Sequence, residues 1–204
     1  PATDTDEDIA AAKLSTDFLH MRFYQDDEET LRFWEILHAI CFGRVLRKVV
    51  WDTSLDGLGP TGKTMKGAGD LRTYTVHPDS FVMSPFDRNP FTLSWVIETD
   101  VWDIDEINSM WPGADVKAED VSTAYAQSGT LINTARPVPN RKHSAILKQG
   151  YFAPDKQSPN GMLCIWAGGK LLHKGDLPDG IFPFVPIDWM WIPGRSYPLS
   201  FISP

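Results

Sequence analysis

The sequence predicts an α+β fold: N-terminal helices followed by mostly antiparallel β-sheet segments, with one short inserted helix. Three observations predict it. Apolar residues recur at helical spacing over residues 6–24 and again from Leu31 to Cys41. From Arg44 onward the chain breaks into short β-branched and aromatic runs separated by glycine and proline turns. Strands do not alternate with long helical patterns, so a doubly wound parallel sheet has no basis here.

The first helix is expected over residues 6–24. Ala11, Leu14, Phe18 and Met21 follow spacings of three, four and three, which places them on one face. The acids from Asp4 to Asp8 suit the positive end of its dipole. A second helix is expected from Asp26, with Glu29 three residues on completing a capping-box-like pair. Leu31, Trp34, Leu37, His38 and Cys41 then define its apolar face, and Gly43 stops it.

Val45 to Trp51 reads as a strand, and Leu55 to Gly69, with five glycines and a proline, as a long loop or hairpin tip. Asp70 to Val76, Phe81 to Met83 and Leu93 to Thr99 continue the β pattern, the last two joined by a turn through Pro85 and Asn89-Pro90. Asp103 and Glu106 cap a short helix near 103–111, with Trp102 stapled onto Ile107 and Pro112-Gly113 ending it. Residues 114–128 are polar and compatible with helix, and Arg136-Pro137-Val138-Pro139 is a linker. Strands follow at 143–152, 161–167 and 170–174, the last two joined by the hairpin signal Gly168-Gly169. Pro183 and Pro186 make the apolar segment 181–192 an edge or irregular strand. The chain divides into a helical part (1–43), a β-rich part with the short helix (44–135) and a second β-rich part (136–204), read together as one compact domain.

Composition narrows the function classes. With 204 residues, 42% apolar and 23% charged, the chain is globular rather than disordered. Two cysteines, Cys41 and Cys164, exclude a disulfide framework. A net charge of −8 argues against a protein that coats DNA or membranes by charge alone. No apolar run approaches the ~20 residues of a membrane helix, and the acidic start does not read as a signal peptide. The charge is blocked: residues 1–30 carry −7, 44–72 carry +3, 79–120 carry −8 and 136–174 carry +6. Such blocks are either solvated faces or complementary patches that meet between copies arranged head to tail.

One motif matches in full. Gly57 to Thr64 reads G-x-x-x-x-G-K-T, with Gly57, Gly62, Lys63 and Thr64 in the P-loop positions. A phosphate site there needs a helix starting at the lysine, and the sequence instead offers glycines and β alternation, so the match reads as a coincidence on a hairpin loop. No cofactor is expected. His20 and His38 fall on helices, and His77, His143 and His173 on β segments, without ligand spacing for a metal. Cys41 reads as a buried thiol, and Cys164 as a strand residue with no nucleophile signature. No G-x-S-x-G elbow occurs, and Asp105 and Glu106 suit a helix start better than acid–base partners, so no catalytic residue is assigned. Trp34, Trp51, Trp95 and Trp111 sit beside apolar residues and are expected in the core; Trp189 and Trp191 share a face if that segment is a strand.

The order of short patterns resembles the N-terminal half of tailed-phage portal proteins, the head-to-tail connectors, over about Phe18 to Ser196. The resemblance rests on the aromatic-rich helix Leu31–Gly43, Val49-Val50-Trp51-Asp52 before a glycine-rich hairpin, Gly69-Asp70-Leu71 and Val76-His77-Pro78. It continues through Trp95-Val96-Ile97-Glu98, Asp105-Glu106-Ile107 and Trp111-Pro112. It closes with Pro159-Asn160-Gly161, Leu171-Leu172, Leu177-Pro178, Pro183-Phe184 and Pro193-Gly194-Arg195-Ser196. It implies a wing-type domain, without the stem and clip that follow in that family and hence a fragment of a longer portal chain. It also implies a ring, usually of twelve copies, at the capsid vertex of the virion, assembled in the host cytoplasm. The implied partners are other copies of the chain, terminase, tail or head-completion proteins, scaffold, and double-stranded DNA passing without sequence recognition, with no membrane and no catalysis of its own. Arg141, Lys142 and Lys148 on one side and Asp100, Asp103 and Asp105 on the other are the expected subunit-interface charges. Two alternatives stay open: an NTP-binding protein using Gly57 to Thr64, and a phage carbohydrate- or partner-binding β module using Trp189 and Trp191.

Overall fold

A computed structural model describes residues 5–52, 55, 57–58, 64–87, 92–119, 143–177, 180–195 and 197–201. The fold is α+β, with N-terminal helices and two antiparallel sheets. Helix α1 spans Asp6–Gln25, and Thr5 caps it by accepting from the Asp8 N–H. Helix α2 spans Glu28–Phe42. The expected cap pair Asp26 and Glu29 is corrected: Asp26 ends α1, donating its N–H to the Arg22 carbonyl and pairing with the Arg22 guanidinium at 3.3 Å. Asp27 turns the chain with a positive φ of 49°, and its side chain caps nothing. Gly43 stops α2 as expected, at φ +88°, and a Cβ there would lie 2.9 Å from the Pro198 carbonyl oxygen.

Strands β1 (Arg44–Asp52), β4 (Asp70–Val76) and β10 (Phe184–Asp188) form a three-stranded sheet in the order β10-β1-β4. Pro186 sits on the edge strand β10, where a missing N–H costs no ladder bond on the open side. The Gly57–Leu58 (β2) and Thr64–Met65 (β3) segments pair as a two-stranded ribbon. The second sheet orders β5 (Phe81–Met83), β6 (Trp95–Asp103), β7 (Ser144–Phe152), β8 (Met162–Ala167) and β9 (Lys170–Gly175). Gly168 and Gly169 both take positive φ, 57° and 73°, as a tight hairpin of right-handed twist requires. Helix α3 (Ile104–Met110) starts on the Asp103 side chain, which accepts from the Asp105 N–H.

The layers stack as helix, sheet, sheet. Leu46, Lys48, Tyr74, Val76 and Phe184 face inward from the first sheet onto Val96, Glu98 and Tyr151 of the second. Arg47 and Thr75 face the other way, onto Glu35 of α2. At the far end, Ile104 and Ile107 of α3 close a second core over Ala145, Leu147 and Ala167. Residues 114–119 form no helix, and the remainder of the segment 114–128, together with the linker 136–139, lies outside the described residues.

Candidate assembly surfaces and buried polar seams

Glu35 stands at the middle of the inward face of α2, only 2% exposed. The Arg47 guanidinium donates to both its oxygens, at 2.7 and 2.5 Å, and also reaches Glu28 at 2.8 Å. These acids hold Arg47 above the ordinary guanidinium value, the Glu35 hydrogen bond foremost. The helix therefore docks through ions, and its apolar side turns outward. Phe33, Ile36, Leu37 and Ile40 follow helical spacing on the side opposite Glu35 and Ala39; Phe33, Ile36 and Leu37 are exposed. The expected apolar face is thus corrected: Trp34 and Leu37 look to solvent, while Leu31 and His38 are half-buried.

Helix α1 buries no residue at all. Its C-terminal end is anchored where Arg22 donates to Asp70 at 2.8 Å and to the Leu71 carbonyl, and Arg32 of α2 lies over Phe23 at 5.1 Å. Its predicted stripe of Leu14, Phe18 and Met21 exists, and is exposed. A large side chain offers about 150–250 Å², so the exposed apolar residues of the two helices present on the order of 1,000 Å².

A second ionic seam joins the sheets. The Lys48 ammonium donates to Glu98 and, at 3.3 Å, to Gln149. It lies 5.2 Å from the Tyr151 ring centre and 5.5 Å from those of Tyr74 and Phe184. Burial alone would lower Lys48; Glu98, then Tyr151 and Tyr74, outweigh it and hold the ammonium above its ordinary value. Burial also raises both tyrosines. On the same strand Arg44 donates bidentately to Asp188, at 2.6 and 2.8 Å.

Where α2 meets the end of β4, His38 and His77 approach with ring centres 5.2 Å apart. His77 Nδ1 accepts from the Asp79 N–H, so its proton sits on Nε2, which is buried without a partner, as is His38 Nδ1. Burial lowers both imidazoles; His77 lowers His38 further against Glu35, and Asp79 opposes the shift at His77.

The sequence-derived site residues scatter. Lys148 lies on the outer side of the second sheet, opposite Thr99 and Trp166. Asp100 is on the other side of that sheet, accepting from the Trp102 indole at 3.2 Å. Asp103 and Asp105 meet His143 in a group whose ligand atoms lie within 4.8 Å, the only such trio among the described residues. Asp105 and His143 are exposed and pair at 3.2 Å, while the half-buried Asp103 is taken up in capping α3. Arg141 and Lys142 fall outside the described residues. So do Gly62 and Lys63 of the P-loop pattern; Gly57 and Thr64 belong to the ribbon, and Thr64 opens a strand rather than a helix.

His143 precedes β7 instead of lying in it, and His77 follows β4. Cys41 is half-buried rather than buried. Among the expected core tryptophans, Trp34 and Trp51 are exposed and Trp95 half-buried, while Trp111 packs on the second core. Trp189 and Trp191 are exposed just past β10. A groove of about 370 Å³ runs beside that strand, between Leu93, Pro154, Phe182 and Val185. No described helix is long and apolar enough to cross a membrane. No protein-family model matches the chain, and no curated protein matches it.

Proposed function

We propose that the chain is a structural subunit of an oligomeric assembly, the wing part of a portal-type ring through which DNA passes. The observation that carries the reading is the apolar outer face of α1 and α2. Taken together, the exposed apolar side chains of the two helices present on the order of 1,000 Å², comparable with one partner's share of a stable interface, about 800 Å². The ordered resemblance to portal proteins from Phe18 to Ser196 names the kind of assembly, and the alternating charge blocks suit copies that attract one another. Light scattering after size exclusion, over a concentration series, is the test, with electron microscopy of the largest species. The reading expects a closed ring with a central opening wide enough for duplex DNA. A monomer at high micromolar concentration, or an assembly without a central opening, overturns it.

A further inference from the structure

The outer side of the second sheet is apolar. Strand register assigns its residues: Val82 pairs with Ile97, which aligns with Gly150 and Cys164, while Lys148 aligns with Trp166 and Leu171. Two residues along, on the same side, stand Phe152 and Met162 in register with Trp95. The position of Gly150 confirms the assignment, since a Cβ there would meet the rings of Trp166 and Phe152 at 2.9 and 3.0 Å. An antiparallel sheet with one solvated face ordinarily shows polar residues there. Here Val82 is 54% and Leu171 62% exposed, and Trp95, Trp166, Phe152 and Ile97 are half-buried. Among the described residues the helices pack elsewhere: α2 on the first sheet, α1 on α2, and α3 on the inner core.

We infer that this sheet face receives the α1–α2 pair of a second copy, which deepens the assembly reading and rests on it. Three observations select that occupant. The two apolar surfaces belong to opposite outer layers of one molecule, helices on one side and the five-stranded sheet on the other, so neither blocks the other. The helix pair is net acidic, with Asp6, Glu7, Asp8, Asp17 and Glu29 against the exposed Lys13 and Arg32, whereas the sheet face carries Lys148 and Lys174. The exposed apolar side chains of the helices sum to an area of the order a standard interface needs. Joining unlike faces makes a heterologous contact, which propagates from copy to copy and closes into a ring or runs on as a filament. Lys174 lies on the edge strand β9 and Lys148 on the central strand β7, so added salt slows association, chiefly through the rim charge at Lys174.

Mixing complementary variants of the full chain tests this. Leu14→Glu with Phe33→Glu spoils the helix face, and Val82→Glu with Leu171→Glu spoils the sheet face. All four positions are exposed, and far-UV circular dichroism checks that each variant folds. Each variant alone is expected to be monomeric by light scattering. An equimolar mixture is expected to give a dimer and nothing larger, because each copy contributes its one intact face. A sheet-face variant that still assembles like the parent overturns the docking, as does a mixture that stays monomeric or a parent chain that never associates. The docking and the portal reading fail separately. Open filaments abolished by either variant keep the docking and sink the ring, whereas rings indifferent to the sheet-face variant keep the ring and sink the docking.

Discussion

Replacing Lys48 by methionine isolates the ionic seam between the sheets. The side chain keeps nearly its volume and its contacts with Tyr74, Tyr151 and Phe184, so no large cavity opens. What is lost is the countercharge of Glu98, a residue 8% exposed that faces the core. Removing one partner of a buried pair typically costs about 3–5 kcal/mol, because the other charge is left uncompensated. Arg44 and Arg47 are committed to Asp188 and Glu35 and cannot take over. For a chain of this size that loss lowers Tm by roughly 6–20 °C. The double change, Lys48→Met with Glu98→Leu, removes both charges and should recover most of the loss or exceed the parent. Urea unfolding at fixed protein concentration, followed by near-UV circular dichroism, measures all three species. A single variant within about 1 kcal/mol of the parent, or a double variant less stable than the single, refutes the argument that unpaired charge is what the seam prevents.

The histidine pair predicts an acid sensitivity. His38 and His77 have folded values below the ordinary ~6.5 of the unfolded chain, so their contribution is present above that value and disappears as the pH drops through the lowered folded ones. His38→Gln should flatten the dependence of unfolding free energy on pH between neutral and mildly acidic solution; an unchanged slope would exclude the pair as its source. Two glycines separate strain from clash. Gly161→Ala sets a Cβ 2.7 Å from the Phe152 carbonyl at φ +72° and should cost about 2–4 kcal/mol by chemical denaturation. Gly69→Ala meets Trp51 at 2.2 Å, but that ring is exposed and can swing aside, leaving about 1–2 kcal/mol of backbone strain at φ +81°. The reverse ranking would mean the Trp51 ring is fixed. Truncating Ile107 to alanine, in the closed core under α3, should cost about 2–5 kcal/mol in the same assay.

Local chemistry was legible where one residue type fits one backbone state. Gly168-Gly169 could only be a tight hairpin, Gly43 a helix stop, Asp103 a cap, and Pro183 with Pro186 an edge, and each stands where its chemistry predicts. What the sequence hides is direction. Periodicity marks an apolar stripe on α1 and on α2 but does not say whether the stripe faces this chain or another; here the α1 stripe is exposed, and the α2 stripe is split, Trp34 and Leu37 outward and Leu31, His38 and Cys41 half-buried. The inward choice on α2 is made by Glu35, whose partner Arg47 lies twelve residues on, across the Gly43 turn. Likewise Trp34 and Trp51 sit in apolar company along the chain, yet they are exposed in space. The Lys48–Glu98 pair left one readable trace: charge inside two otherwise apolar strands, Arg47 and Lys48 within Val45–Trp51 and Glu98 within Trp95–Thr99. The pairing itself spans fifty residues and needs the sheets to stack first.

Strand β1 explains why ions line the inside while apolar residues are left outside. Its side chains alternate between the sheet face and the helix face, and Arg44 and Lys48 point one way, Arg47 the other. Each basic residue meets an acid from a different layer or strand: Asp188 on β10, Glu98 on β6, Glu35 on α2. Apolar contacts tolerate sliding of one layer over another, whereas a lone buried charge tolerates little displacement from its partner, so Lys48–Glu98 and Arg47–Glu35 fix the three layers on one another while Arg44–Asp188 fixes β10 on β1. Fixing the layers in this way leaves the large apolar side chains of α1, α2 and the second sheet unneeded for internal cohesion. They are then held at defined positions on two opposed surfaces; under the proposed docking of one copy on the next this matters, because a small error in the angle between those surfaces would accumulate from subunit to subunit and prevent closure.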